Sequence, residues 1–492
     1  MNKNILLFFL GLFLCLNLFS QKGTIRGFVS DKETGEPIMF CNVSIDGTSY
    51  GSQTDLNGMY NLSKIPIGEH EIIVTYIGYE KFSKNILLKR GEILDLKIKL
   101  NASTVKIDEV EISADRLEMK TDVKAASIKI TNEDLNLVPT IGGEADLAQY
   151  MQIIPGVIFT GDQGGQLYIR GGSPVQNKVL LDGMTVYSPF HSIGLFSVFD
   201  ADIIKATDVY TGGFSAEYGG RVSSIMDIKT KDGNKKRIQG KLSSNTFGSK
   251  LLLEGPVFKS LENGISNSFI LSAKTSYLDQ TSKSFYSYLS DNGLPYSFSD
   301  FYGKLSFFSK NGSKVNLYGF GFNDNVNYVN LTELGWLTYG FGSNIVLIPS
   351  SAKMLVEGKA AYSKYDIFQE DFGAPRNNSI IDGFNLGLDF SYFISQQHQA
   401  KYGIEILGYT TQLNFRNAIG TLIDPKDHST EFAGYVSYNY KSNRLIIDPS
   451  IRLQNYTSLG ETSIEPRLGI KYNLNEYCRI KGSFGVFSQN LM

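Results

Sequence analysis

The chain has 492 residues, with 47 Lys and Arg against 49 Asp and Glu and a formal net charge of −2, so it lacks the global basic field that holds nucleic acid. That length exceeds one ordinary core and calls for several units in series. With 49 Gly, 28 Tyr and 32 Phe beside a single Trp, the composition favours aromatic-rich strands and tight turns, an all-β-dominated chain. Cys15, Cys41 and Cys478 lie far apart, and His70, His191, His398 and His428 show no HExxH or HxH spacing. No disulfide framework, metal site or cofactor is expected.

Lys3, an apolar run from Ile5 to Phe19 and then Ser20-Gln21 read as a secretory signal over 1–20, cleaved near Ser20. A run of about 15 apolar residues is shorter than the roughly 20 that a spanning helix needs. A lipoprotein reading of Cys15 fails because Leu-Asn-Leu-Phe follows it. No second long apolar segment appears, so membrane contact by the mature chain requires a barrel.

Residues 21–100 are short strands separated by turn residues: Gly23 to Ser30, Ile38 to Ile45, Gly58 to Leu62, His70 to Tyr76 and Ile93 to Leu100, with Asp55-Leu-Asn-Gly58 and Ile67-Gly68 as turns. A small β-sandwich is expected. The stretches GFVSDKETGEPIMFCNVSI and GSQTDLNGMYNLSKIPIGEHEIIVTYIGY resemble the carboxypeptidase-regulatory-like, prealbumin-type domain that precedes many TonB-dependent receptors. One histidine and no ligand cluster leave this segment without peptidase chemistry, so it reads as a structural or partner-binding module.

Residues 101–118 carry a small apolar stripe within Ile107-Asp-Glu-Val-Glu-Ile-Ser-Ala114, where Val110 and Ile112 alternate with Glu109 and Glu111. An exposed strand of this kind is a template for β-augmentation. Ile107, Asp108, Glu109, Val110, Glu111 and Ile112 resemble the TonB box, with Glu111 departing from the commoner Val. An ordinary linker strand closing the sandwich is the alternative on spacing alone.

Residues 119–232 contain PGVIFTGDQGGQLYIRGGSPVQNKVLLDGMTVYSPFHSIGLFSVFDADIIKATDVYTGGFSAEYGGRVSSIMDIKTKDG, which resembles the α+β plug of TonB-dependent receptors. Ile169-Arg170-Gly171-Gly172 and Leu180-Leu181-Asp182-Gly183 are strand ends followed by glycine-permitted turns. Glu217-Tyr218-Gly219-Gly220-Arg221 places two charges around two glycines, and Ser223 to Thr230 reads as a further strand. The resemblance implies that Arg170, Glu217 and Arg221 help hold the plug to the barrel wall. A surface charge that contributes little is the alternative for each. Arg170-Gly-Gly-Ser-Pro lacks the spacing and lysine of a phosphate-cradling loop.

Residues 233–492 alternate over longer strands. Phe384, Leu386, Leu388, Phe390, Tyr392 and Ile394 oppose Asn385, Gly387, Asp389 and Ser391; Ala400, Tyr402, Ile404 and Ile406 oppose Lys401, Gly403 and Glu405; Leu468, Ile470, Tyr472 and Leu474 oppose Arg467, Gly469, Lys471 and Asn473. The charged face is expected in water. Strands of about eight to twelve residues suit a tilted bilayer crossing. Short turns at 441–444 and 473–476 are assigned to the periplasm, and long loops at 369–382 and 414–430 to the exterior. Tyr286, Tyr288, Tyr296 and Phe298 read as girdle or strand-end packing, or as a stacking surface for a sugar or siderophore.

Together these give a small β-sandwich, an α+β plug and a partial antiparallel transmembrane β-barrel. About ten to twelve strands are counted against about 22 in plugged transporters, so a fragment is expected, a smaller closed barrel being the alternative. The resemblance implies an outer-membrane receptor that imports an extracellular nutrient (iron chelate, cofactor, sugar or peptide) using force from inner-membrane TonB. Its implied partners are TonB, that nutrient ligand, outer-membrane lipid and a surface-exposed substrate-binding lipoprotein. A signalling or adhesion receptor without transport is the alternative. No GxSxG motif and no convincing carboxylate pair occur, so the chain is not expected to be an enzyme.

Overall fold

A computed structural model describes residues 22–48, 50–103, 126–140, 143–160, 165–258, 265–285, 288, 293–349, 352–417, 419–442, 444–475 and 478–490. The signal-like segment 1–20 and the stretch Ile107 to Ile112 lie outside them. Contacts divide the chain into two compact units, with 1–122 in the first and the bulk of 123–492 in the second.

The first unit is a two-sheet sandwich. Lys22–Asp31 pairs antiparallel with Met59–Pro66 and parallel with Ile93–Asp95 and Ile98–Leu100. The second sheet runs Gly51–Gln53, Asn42–Ile45, Gly68–Thr75, Phe82–Leu88. Alternate apolar side chains from both sheets, including Ile25, Val43, Leu62, Ile72 and Leu88, fill the space between them. The strands at 51–53 and 82–88 escaped sequence reading because Gly-Ser-Gln and Ser-Lys-Asn carry little apolar signal.

In the second unit, the plug is built on a five-stranded sheet in the order Met184–Thr185, Asn177–Leu181, Ser224–Thr230, Ile204–Tyr210, Ser127–Thr131. The strands at 177–181 and 224–230 run parallel and are buried almost throughout, as central strands covered on both faces must be. Helix Asn132–Leu137 starts from a capping box made by Thr131 and Asp134. Asp146 caps Leu147–Met151 through Ala148 N at 2.7 Å and also accepts from Ser197 N at 2.9 Å, tying the helix to the 186–200 loop.

The wall is an antiparallel sheet in which thirteen strands follow in chain order from Gln239–Ser244 to Arg479–Gly485, with Leu422–Ile423 pairing to His398–Arg416 off that path. The number exceeds the sequence estimate because turns as short as 329–331, between Lys314–Tyr328 and Thr332–Leu347, divide what reads as continuous alternation. Strands from Tyr296 onward reach 19 residues at His398–Arg416. The long loops expected at 369–382 and 414–430 are therefore corrected. Met354–Asp371 and Asn377–Phe393 are joined by a turn at 372–376, and His398–Arg416 and Lys426–Lys441 cover most of the second stretch. Polar residues at the strand ends hide the period-2 pattern there, while the backbone ladder continues.

The expectation that the charged face lies in water is also corrected. Leu386, Leu388, Ile404 and Ile464 point outward and are exposed, whereas Asn385, Glu405, Arg452, Glu465, Arg467 and Lys471 on the opposite face are buried. The alternation was legible, but the occupant of the inner face is the plug rather than solvent.

Candidate functional site

The plug is held by its turns. At Leu180-Leu181-Asp182-Gly183 the backbone adopts positive φ at both Asp182 (51°) and Gly183 (92°), a reversal that glycine tolerates without strain. The reversal aims the Asp182 carboxylate at Thr230 Oγ1 (2.6 Å) and Tyr302 OH (2.7 Å), with Lys304 Nζ at 3.6 Å. Burial opposes the Asp182 charge, yet Lys304 and the two hydroxyls hold its carboxyl below the usual carboxylate range. The carbonyls that the turn leaves outside the sheet are bonded from the wall: Tyr318 OH (2.9 Å) and Asn344 Nδ2 (2.8 Å) donate to Asp182 O, and Asn385 Nδ2 (3.1 Å) to Gly183 O. One two-residue turn thus engages the strands containing 302, 318, 344 and 385.

The Glu217-Tyr218-Gly219-Gly220-Arg221 segment meets the later strands. Glu217 pairs with Lys401 of the wall. Arg452, with no exposed surface, donates to Glu405 (2.8 Å), Gln454 (2.8 Å) and the plug carbonyl of Ala216 (3.2 Å). Arg467 donates to the carbonyls of Ser215 and Tyr218, both at 2.7 Å, and pairs with Glu465 at 2.6 Å. A side chain at Gly219 would run into the Arg452 guanidinium, so this glycine is what lets the cation lie against the plug backbone. Gly220 has φ 73°, and a Cβ there would come within 3.2 Å of the Glu431 carboxylate.

Arg170 is exposed, with φ 49°, and lies near Gly156 and Gly212 of the plug itself. Gly171 (φ 82°) and Gly172 complete its turn, and Gly172 is packed against Ser223, whose hydroxyl donates to Ile169 O at 2.9 Å. Arg221 donates to Gly220 O at 2.6 Å and lines a cavity between plug and wall. The structure therefore brings Asp182, Gly183, Glu217 and Gly219 onto the wall and leaves Arg170, Gly171 and Gly172 within the plug. Phe298 is buried and Tyr288 is 78% exposed, while Tyr286 lies outside the described residues.

His191 was legible only as one of four scattered histidines. Fully buried, it stands between two wall carboxylates, Nε2 at 3.0 Å from Asp300 and Nδ1 at 3.3 Å from Asp324, and stacks on Phe298 at 3.7 Å. Ser192 donates to Asp324 through N (2.6 Å) and Oγ (2.8 Å), and Lys274 pairs with Asp300 at 3.1 Å. Burial disfavours the imidazolium, but Asp300 and Asp324 outweigh it and raise the His191 pKa above its ordinary value. Lys178 was equally silent. Burial pushes its ammonium down to about 8 against the pull of Glu405. Lys401, Glu405 and Arg467 did stand on the polar faces of alternating strands, so an inward charge was visible and only its partner was not.

The cavity has a volume of about 480 Å³, within the roughly 300–1,000 Å³ of small-molecule sites. It opens among plug residues Lys178, Tyr187 and Arg221 and wall residues Trp336, Tyr365 and Tyr409. The wall residues sit toward the strand ends joined by turns 329–331, 372–376 and 417–425, on the side opposite the 441–444 and 473–476 turns.

Two family models match: the CarboxypepD_reg-like domain over residues 25–112 and the TonB-dependent Receptor Plug Domain over residues 120–224. Residues 120–224 are thus a plug domain of the TonB-dependent receptor type. The chain is similar to TonB-dependent receptor SusC of Bacteroides thetaiotaomicron (29% identity, covering 47% of this chain and 23% of that protein). It is also similar to TonB-dependent receptor P39 of Formosa agariphila (27% identity, covering 43% of this chain and 19% of that protein). The chain thus aligns over less than a quarter of the length of these relatives. Among solved structures it shares a fold with the siderophore receptor PirA of Acinetobacter baumannii (TM-score 0.55, 17% identity, 73% of this chain and 60% of that one). The outer membrane transporter YddB of Escherichia coli is comparable (TM-score 0.56, 13% identity, 74% and 61%). The chain is all-β-dominated, with a sandwich, a plug and a large antiparallel wall.

Proposed function

We propose that the receptor acts at the outer membrane of a Gram-negative bacterium, binding an extracellular nutrient in the cavity between plug and wall and importing it to the periplasm. Inner-membrane TonB would supply the force through the segment Ile107 to Ile112. The single observation that carries this reading is the polar seam between plug and later strands. Arg452 and Arg467 bond to plug backbone carbonyls, contacts that water can replace as the plug is pulled. The outer membrane has no nucleotide supply, so a filled barrel passes cargo only when force moves the filling. The units are read as a signal at 1–20, a periplasmic sandwich at 21–100, the pulled segment at 101–118, the plug at 119–232 and the wall at 233–492. Besides TonB, nutrient and lipid, a surface-exposed substrate-binding lipoprotein would sit over the outward hairpins.

The test is capture of the full chain, with and without residues 107 to 112, by the periplasmic domain of TonB. Capture that depends on those residues is expected. Equal capture of both forms, or of neither, would overturn the energised-import reading and favour a receptor that transports nothing.

A further inference from the structure

The charges beneath the cavity do not balance. Glu405 alone is shared by three cations, Arg452 at 2.8 Å, Lys359 at 3.1 Å and Lys178 at 3.8 Å. Arg221, a fourth cation lining the same space, donates only to the neighbouring Gly220 carbonyl and pairs with no carboxylate among the described residues. The remaining acids nearby are already engaged. Asp324 faces His191 and Ser192, and Glu431 accepts from Gln454 at 2.9 Å. A guanidinium whose nearest influence is the longer-range charge of Glu431 and which has no carboxylate within ion-pair distance among the described residues, beside a buried ammonium that shares its carboxylate with two stronger claimants, is a recognition surface for an incoming anion. Above these two cations the walls are aromatic, with Tyr187 and Tyr365 stacked at 6.3 Å and Trp336 and Tyr409 alongside. Such faces take up a planar or pyranose ring.

We infer that the cavity selects ring-bearing solutes carrying an acidic substituent, carboxylate or phosphate, which Arg221 and Lys178 bind while the ring lies against the aromatic walls. This deepens the import reading and rests on it for the biological role. It also links occupancy to the plug. An anion on Lys178 draws that ammonium from Glu405 and from Gly219 O, to which it donates at 3.4 Å. Glu405 is the carboxylate that orients Arg452 on the Ala216 carbonyl, so an acidic ligand rearranges the seam that holds the plug.

Trp336 lines the cavity and is the chain's single tryptophan, so its fluorescence reads occupancy directly. The full chain in lipid would be titrated with glucose, glucuronate and glucose 6-phosphate, three probes with one ring and different charge. Both acidic sugars are expected to saturate the Trp336 response at concentrations at least about tenfold below glucose, and the two acids separate carboxylate from phosphate preference. Arg221→Gln should remove that advantage and Arg221→Lys should keep part of it. Each variant is checked for native fold by its resistance to unfolding on a heat-modifiability gel. Equal affinity for the three sugars, no response to any of them, or an advantage that survives in a folded Arg221→Gln would overturn the inference. Loss of the acid preference with TonB capture intact would sink this inference alone, whereas a retained acid preference without TonB capture would sink only the import reading.

Discussion

Along the strands from Ser266–Ser276 to Thr332–Leu347, the plug core runs into the wall without a break: Ile270, Tyr302, Tyr318, Phe320 and Phe322 belong to the same apolar cluster as Leu181, Val198 and Phe199. Along the strands from His398–Arg416 to Glu461–Asn473, the contact is made instead by Lys401 on the Glu217 carboxylate, Glu405 on the Lys178 ammonium, and Arg452 and Arg467 on plug carbonyls. Charges occur in the first half too, as in the pairing of Lys304 with Asp232 at 3.3 Å, but there a continuous apolar core backs them. Separating the first half exposes apolar surface at about 25 cal/mol per Å². In the second half, water can replace each contact in turn. The difference teaches which side of the plug is the easier to detach: a force on it would part it from the later strands before the earlier ones.

The largest expected effects come from breaking one member of each half. Arg452→Ala leaves Glu405 buried without its closest partner and should cost about 3–5 kcal/mol. Phe320→Ala, which removes a ring stacked 6.0 Å from Phe199, should cost a similar 3–5 kcal/mol or so through the cavity it leaves. Urea unfolding of the membrane-inserted chain distinguishes them. Arg452→Lys, which returns a cation to Glu405, should recover part of the Arg452→Ala loss, whereas Phe320→Lys should recover none of the Phe320→Ala loss; equal behaviour would erase the distinction between the halves. A smaller effect, about 1–3 kcal/mol, is expected from Gly219→Ala, whose methyl displaces the Arg452 guanidinium. A Gly219→Ala, Arg452→Ala double variant no less stable than Arg452→Ala alone would confirm the cause.

How much of this was readable beforehand depended on whether a residue's role lies in its own neighbours or in a distant strand. Asp182-Gly183 and Glu217 to Arg221 were visible because turn chemistry is local. The outward faces at Leu386 and Ile404 were visible because alternation is local too. Trp336 and Lys178 carried no such signal, since their meeting depends on pairing across more than 150 residues of chain. The strand ends at 369–371 and 426–430 were missed because ladder bonds, unlike apolar periodicity, leave no mark on composition.

The smallest effect sharpens the comparison from the apolar side. His191 has a folded-state pKa raised above its unfolded value of about 6.5. Its contribution is therefore fully present below about pH 6.5 and is lost as pH rises through the folded value. Melting temperatures should fall on going from about pH 6 to about pH 9 by more in the parent than in His191→Phe. Parallel curves would show that the imidazolium does not help fasten the plug.

The strand His398–Arg416, at 19 residues, has a consequence outside the membrane. At about 3.3 Å per residue it measures roughly 60 Å, and with a tilt of about 40° it stands about 45 Å tall against an apolar band of about 25 Å. Much of the surplus is a ribbon carrying Gln412, Arg416, Asp424 and Lys426, and its ladder needs no lipid to stay formed. Were the chain set in a bilayer, that ribbon would stand clear of the lipid, and a protease added from that side would meet it before any other part of the wall.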